Sequence, residues 1–233
     1  MSVDKLLHPA HVAILQVLLF TPAARFAELQ KASGLSSDHF NFYLKQLVDE
    51  GFVAKTDGTY SLSGKGKEFA NRFDTEERKV ERQPKVAVCL IIHDDQGRTL
   101  VQERLKQPYY GYHGRPTGKI RWGETIMEAA ARELMEETGL TATLEFNGTY
   151  HKMDFNKQTG DMLEDKIFFV IHGTNPVGEL MADFEGGRNA WMTVEQISKL
   201  EKSFITVEAA MRDAHNERAF FTEARHEYAP DQY

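Results

Sequence analysis

Residues 118–140 read GKIRWGETIMEAAARELMEETGL, and no other run in the chain leaves so little freedom of folding. Thr125 followed three residues later by Glu128 is a capping box, which starts a helix, and Gly139 is placed to end it. A helical wheel puts Met127, Ala130, Ala131 and Leu134 on one apolar face, so the helix must lie against a core. Glu133, Glu136 and Glu137 fall on a different face, three and four residues apart. Carboxylates that close resist ionising together unless a cation sits among them. All-oxygen ligands favour a hard divalent ion, Mg2+ first and Mn2+ second. Arg132 lies one turn before Glu136 and is placed to hold that carboxylate, while Glu124 is placed to pair with Arg132. Gly118 and Gly123 in the preceding loop let the backbone approach a ligand, and the Gly118 carbonyl offers one more oxygen. An acidic helix taken alone is more often a solvated face than a site. Four acids, an arginine and two glycines at these spacings favour the site.

The rest of the chain supplies more than one core. At 233 residues, with 41% hydrophobic and 27% charged residues, it has room for a domain of about 130 residues and a smaller one. One cysteine, Cys89, cannot form a disulfide within the chain, which points to a reducing, cytoplasmic compartment and away from a cysteine metal site. The apolar run Val12 to Phe20 is interrupted by Gln16 and is shorter than the ~20 residues a bilayer requires, so it reads as a buried helix and no membrane partner is expected. The net charge of −7 is uneven: residues 1–75 carry 8 basic and 8 acidic side chains, leaving 20 basic and 27 acidic for the remainder.

The first 75 residues read as helix, helix, turn, helix, hairpin, helix. Pro9 suits a first helical turn, and the pattern stops at Thr21-Pro22. A second helix runs from about Phe26 to Ser33 and ends at Gly34; a third, capped by Ser36 or Ser37, carries Phe40, Leu44, Leu47 and Val48 on its core stripe. Asp57-Gly58 between Phe52-Val53-Ala54 and Thr59-Tyr60-Ser61-Leu62 predicts a two-stranded hairpin, and a last helix follows from Ser63 to about Phe73. Residues 76–85 are almost wholly charged and read as a linker. Strands are expected over Val86–Ile92, Thr99–Glu103, Ala142–Tyr150 and Lys166–His172, a helix over about 194–200, and a helical extension over 201–233. The fold class that follows is α+β: a sandwich with a mixed sheet over residues 86–200, preceded by a small helical domain over 1–75.

Two resemblances sharpen this outline. LSSDHFNFYLKQLVDEGFV and TYSLSGKGKEF, with the order of elements around them, resemble the winged helix-turn-helix domains of small bacterial transcriptional regulators. The pattern G-x5-E-x7-R-E-U-x-E-E-x-G-U, which residues 118–140 match at every position, is similar to the signature of the Nudix hydrolases. That second resemblance implies an α/β/α sandwich and Mg2+- or Mn2+-dependent cleavage of the diphosphate bond in a nucleoside diphosphate derivative. It implies Glu133, Glu136 and Glu137 as metal ligands with the carbonyl of Gly118, Glu133 also positioning or deprotonating water, and Arg132 and Glu124 as their support. Glu185, six residues before Trp191, stands where some relatives place an auxiliary metal-binding acid. In the segment Arg115-Pro116-Thr117-Gly118, Arg115 replaces an aromatic residue and Thr117 a glycine of the family pattern. The proline past the box that marks ADP-ribose hydrolases is missing; Asp154 and Phe155 fall there.

Substrate contacts are therefore expected outside the box. Tyr110 and Tyr112, in an aromatic loop, are placed to stack on a nucleobase or to cover the sheet edge. Arg115 and Lys119 are placed near phosphates or on the surface. In the N-terminal domain, Ser37, Asn41, Tyr43, Lys45 and Gln46 lie on the helix that would enter a DNA groove. A formal charge of zero there argues against DNA, and homodimerisation is the competing role. The expected function is a nucleotide-directed hydrolase with an appended winged helix; the alternative is a nucleotide-sensing regulator that binds DNA.

Overall fold

The computed structural model describes residues 8–74, 79–80, 82–205 and 220–233. The chain divides into two compact units, Met1–Arg82 and Gln83–Tyr233.

In the first unit, α1 (Pro9–Phe20) starts at His8, whose side chain accepts from the Ala10 amide. Then come β1 (Ala24–Arg25), α2 (Phe26–Ser33) and α3 (Ser37–Asp49), with Gly34 in the left-handed conformation that ends α2. Strands β2 (Val53–Thr56) and β3 (Thr59–Leu62) form the hairpin, with Asp57 and Gly58 both at positive φ, and α4 (Gly64–Ala70) follows. The sheet order is β1-β3-β2. Ile14, Leu15, Leu29, Phe40 and Leu47 are completely buried and tie the three long helices to the hairpin. Ser36 occupies the cap position of α3 without a side-chain cap bond. The stretch expected to be a linker contains β5 (Lys79–Val80), which pairs with β4 (Phe73–Asp74) just before it.

In the second unit, β6 (Lys85–Ile92), β7 (Thr99–Arg104), β8 (His113–Gly114) and β9 (Thr117–Lys119) precede α5 (Ile126–Thr138). Two long strands, β10 (Leu140–Asn156) and β11 (Met162–Gly178), then β12 (Asp183–Phe184), β13 (Gly187–Met192), α6 (Val194–Ser198) and β14 (Phe220–Tyr228) complete it. The strands form a mixed five-stranded sheet, β14-β10-β11-β6-β9, and a four-stranded sheet, β12-β13-β7-β8. Buried Val88, Leu90 and Ile92 of β6 pack with Ala130 and Leu134 of α5, which anchors the acidic helix to the large sheet.

Three expectations need correction. The buried face of α5 is Ala129, Ala130, Leu134 and Thr138, whereas Met127 is 39% exposed and Ala131 is exposed too. Thr138 is buried without penalty because its hydroxyl donates to the Leu134 carbonyl at 2.5 Å. The segment expected to be a helical extension contains strand β14, which pairs in parallel with β10 from Gly148↔Phe220 to Asn156↔Tyr228; its residues 206–219 lie outside the described ones. Strands β10 and β11 each run 17 residues, well beyond the expected 142–150 and 166–172. No helix among the described residues is long and apolar enough to cross a membrane.

Candidate active site

Helix α5 begins as its sequence dictates. Thr125 Oγ1 accepts from the Glu128 amide at 3.3 Å and Glu128 Oε2 accepts from the Thr125 amide at 2.9 Å. Gly139 at φ 74° ends the helix. This fixes the rotation at which the acids leave the helix.

Arg132 is the hub of the acidic face. Its Nε and Nη2 donate to the two oxygens of Glu124 at 2.6 and 2.8 Å, and Nη1 donates to Glu133 at 2.7 Å and Glu136 at 3.1 Å. Nη2 also reaches the Lys119 carbonyl at 3.1 Å. The fork engages three carboxylates and a carbonyl at once, a task that a lysine's point charge cannot perform. Hydrogen bonds from Arg132 and from the Arg121 amide hold the Glu124 carboxyl down to about 2, so it stays ionised as a permanent counter-charge. The same bonds, that to Glu124 foremost, hold Arg132 above its ordinary value.

The three candidate metal ligands differ in setting. Glu133 lies over Gly118: a Cβ at that glycine would sit 1.9 Å from Glu133 Cδ, so only glycine admits the carboxylate there. Glu136 is the most exposed and also receives Arg121 Nη2 at 3.0 Å. Glu137 accepts from Gln102 Nε2 at 3.0 Å, and burial, with the nearby charge of Glu133, raises its carboxyl above the ordinary range. No three His, Cys, Asp or Glu side chains among the described residues converge on one point. The donor set still suits a hard divalent cation. It offers three carboxylates at helical spacing, one of them raised by burial and by its neighbour's charge, beside a glycine cradle.

Glu137 opens onto a solvent-accessible cavity of about 130 Å³. In a chain of net charge −7, five cations line this cavity, Arg104, Lys106, Arg115, Lys152 and Lys166, against two acids, Glu103 and Glu137. Such a lining suits an anionic ligand. Of the expected substrate residues, Arg115 is 3% exposed and lines the cavity, so it is not a surface residue. Tyr112 also lines it, buried and stacked on Phe204 at 4.8 Å. Tyr110, at 55% exposure, is not among the lining residues. Lys119 turns an exposed side chain to solvent and contributes its carbonyl to Arg132. Glu185 is exposed, although its neighbours Phe184 and Gly186 line the cavity.

Sequence reasoning missed the far wall. Lys152 and Asp154 are two apart on β10 and so share a face, and they stand opposite Lys166 and Glu164 of β11. Asp154, fully buried, accepts from Tyr109 Oη at 2.6 Å and from Lys152 Nζ at 2.5 Å. The alternation of charge within HKMDF and LEDKI was the available signal.

On α3, Ser37, Asn41 and Lys45 are exposed. Tyr43 and Gln46 are instead engaged by α1 and its cap: Tyr43 Oη meets His8 Nε2 at 2.9 Å, and Gln46 Oε1 meets His11 Nε2 at 2.9 Å.

Similarities to known proteins cover both units. A domain of unknown function, DUF7347, matches residues 3–72. The chain is similar to an ADP-ribose pyrophosphatase from Methanocaldococcus jannaschii, 37% identical over 143 residues, 60% of this chain and 81% of that protein. It is also similar to an isopentenyl-diphosphate Delta-isomerase from Serratia proteamaculans, 31% identical over 48% of this chain; the match spans 63% of the isomerase, less than two thirds of its length. Among solved structures, a MutT protein from Bacillus halodurans shares the fold at a TM-score of 0.51 and 23% identity, covering 64% of this chain and 93% of that one. The Nudix domain model matches residues 83–214, more than half of the chain, and the chain therefore belongs to the Nudix family.

Proposed function

We propose a substrate class and a cofactor for this Nudix-type pyrophosphate hydrolase: it cleaves the diphosphate bond of a nucleoside diphosphate derivative with Mg2+ or Mn2+. The observation that carries the reading is the acid set ordered by Arg132 over Gly118, beside a cavity lined by five cations. Glu133, Glu136, Glu137 and the Gly118 carbonyl would hold the cation; Glu185 is a further candidate ligand from the loop between β12 and β13. The cation, when bound, supplies charge neutralisation at the phosphate oxygens and lowers the pKa of a bound water. Glu133, fixed between Arg132 and Gly118, orients the attacking water and takes its proton. Glu124 and Arg132 keep the ligands in place. Arg104, Lys106 and Arg115 offset the substrate's negative charge at the cavity wall. The two relatives reported above are both named for diphosphate compounds, which supports the diphosphate as the shared chemistry.

A substrate panel of ADP-ribose, NADH, nucleotide sugars, dinucleoside polyphosphates and oxidised nucleoside triphosphates tests this with Mg2+ and with Mn2+. Glu136→Gln and Glu137→Gln are expected to abolish turnover while the circular dichroism spectrum is kept. Unchanged turnover in both variants would sink the assignment.

A second reading concerns the N-terminal unit. Its order of helices and hairpin, with Ser37, Asn41 and Lys45 exposed on α3, supports a winged helix that binds DNA, so that the Nudix domain also acts as a nucleotide sensor. A gel shift against DNA flanking its own gene, with and without nucleotides, decides it: no specific shift under any condition removes the regulator. If the unit instead builds a homodimer, deletion of residues 1–75 yields a monomer by solution mass, and a truncated protein that stays dimeric excludes that role.

A further inference from the structure

Strand β14 (Phe220–Tyr228) closes one side of the large sheet: it pairs with β10, and among the described residues no strand pairs with its other side. One bond beyond the ladder shows which way its backbone groups point. The Tyr228 carbonyl accepts from the Lys157 amide, just past β10, at 2.9 Å, so Tyr228 turns its N–H and C=O toward β10. Backbone groups alternate sides along a strand, so Phe220, Thr222, Ala224 and His226 do the same, and Phe221, Glu223, Arg225 and Glu227 present theirs to the open edge. The same four residues have exposed side chains, Phe221 at 68%. Such a row of backbone donors and acceptors is a template for another strand.

The order of residues in β14 says which strand. About a twofold axis normal to the sheet, a second copy of β14 would run antiparallel to the first, and residues directly opposite each other would share a face. The axis must then pass through a residue, because an axis between two residues would set side chains of opposite faces against each other. Centring on Glu223 places it against the partner's Glu223. Centring on Arg225 places it against the partner's Arg225, and Glu223 against the partner's Glu227. Like charges directly opposite one another oppose pairing. Centring on Ala224 sets Glu223 against the partner's Arg225 and Arg225 against the partner's Glu223, with Phe221 against the partner's Glu227. Ala224 is also the midpoint of the strand, so this register lets its full length pair. Charged residues on a sheet edge ordinarily discourage association. Here their order discourages the neighbouring registers and permits one.

We propose that two copies of this chain associate through β14, edge to edge about Ala224, and join their large sheets into one. Glu223 keeps an oxygen for this contact: Oε1 meets His151 Nδ1 at 2.8 Å, which leaves Oε2 for the partner's Arg225. Arg225, its guanidinium over the Phe155 ring at 5.7 Å, makes no ion pair among the described residues. The pairing uses neither the N-terminal unit nor the acid site, so it stands apart from the hydrolase and winged-helix readings.

The full chain is measured by sedimentation velocity from about 1 to 100 μM, the range in which so small an interface dissociates. Mass is expected to rise from monomer to dimer over that range. Arg225→Glu turns both Glu–Arg pairs into Glu–Glu and should weaken association at least about tenfold, and Glu223→Arg should do the same through Arg–Arg pairs. Mixed in equal amounts, the two variants should form a heterodimer, because every opposite pair is again of unlike sign. Arg225→Pro removes an N–H that faces the edge, keeps the ladder with β10, and should also yield a monomer. A wild-type chain that is still monomeric at about 100 μM overturns the proposal. So does a dimer of unchanged strength in Arg225→Glu or Arg225→Pro, which would place the contact on another surface. A mixture of folded single variants that stays monomeric overturns it too. Should Glu223→Arg lose the fold by circular dichroism, since it also gives up His151, the wild type and the two Arg225 variants decide.

Discussion

Gly118→Ala tests the architecture of the acid site more sharply than removal of an acid does. The added methyl group would stand 1.9 Å from Glu133 Cδ, 2.1 Å from Cγ and 2.3 Å from Oε1. Non-bonded carbons settle at about 3.5–4.0 Å, so the Glu133 carboxyl must retreat by roughly 1.5–2 Å. The obstacle is the end of a flexible side chain, so the backbone can stay where it is. The retreat breaks the 2.7 Å bond from Arg132 Nη1, which is partly solvent-exposed and worth about 1 kcal/mol. A loss of that size lowers the melting temperature by about 2–4 °C in a domain of this length. Turnover should fall much further, because a displacement of about 1 Å in a positioned catalytic group can cost about 100-fold. Gly64→Ala is the control, since its Cβ meets nothing within 4 Å. The assay pairs thermal melting with steady-state turnover on the best substrate of the panel. Turnover of Gly118→Ala within about threefold of wild type would refute the role given to Glu133. A fall in melting temperature beyond about 10 °C would refute the claim that a side chain, and not the fold, gives way.

Other outcomes follow from the same structure. Arg132→Lys keeps the charge but loses the fork that reaches Glu124, Glu133 and Glu136; turnover should fall about tenfold or more with folding retained, and activity equal to wild type would show that charge alone suffices. Leu134→Ala empties a fully buried position between α5 and the large sheet and should cost about 2–5 kcal/mol by urea unfolding, a loss below about 1 kcal/mol contradicting the packing described. His151 is held by Glu223 on β14 at 2.8 Å and Asp165 on β11 at 2.7 Å, and these bonds raise its pKa. A raised folded-state value means that stability is fully present below the ordinary histidine value of about 6.5 and is lost as pH rises through the folded value. Melting temperature should therefore fall with pH on the alkaline side of that value in wild type and less so in His151→Gln; an identical slope in both would discount the imidazolium.

The acidic helix was legible because everything that specifies it lies within 23 residues: the caps, the period and the acids. Its buried face was misjudged by hydropathy alone. Thr138 hides its hydroxyl on its own helix at Leu134, while Met127 and Ala131 have no core above them. The long strands were read short for a related reason. Beyond Tyr150 the side chains of β10 turn charged, yet the ladder continues, because Lys152 and Asp154 pair along their strand opposite Glu164 and Lys166 along theirs. Strand β14 did carry a readable signal. In FFTEARHEY, Phe220, Thr222, Ala224, His226 and Tyr228 alternate in burial with exposed partners, a period of two where a helix was expected.

The cavity shows where local reading stops. Its far wall brings Tyr109, Lys152, Lys166 and Phe204 together from four segments far apart in the chain. The charge alternation around Lys152 and Lys166 and the aromatic loop at Tyr109 are visible in the sequence, but nothing local says that they meet. Lysine is ordinarily a surface residue, and a lysine two before an aspartate on a strand reads as solvated. Here β14 pairs with β10 along the same stretch, with Lys152 beside Ala224 and Asn156 beside Tyr228, and the rings of Tyr109, Phe204 and Tyr228 enclose the ammonium. The same pairing that converts a surface ion pair into a cavity wall was the one missed when residues 220–228 were expected to be helical. Misreading one strand therefore hid the wall proposed to meet substrate, while the acid set proposed to hold the cation, contained within a single helix and its loop, was unaffected.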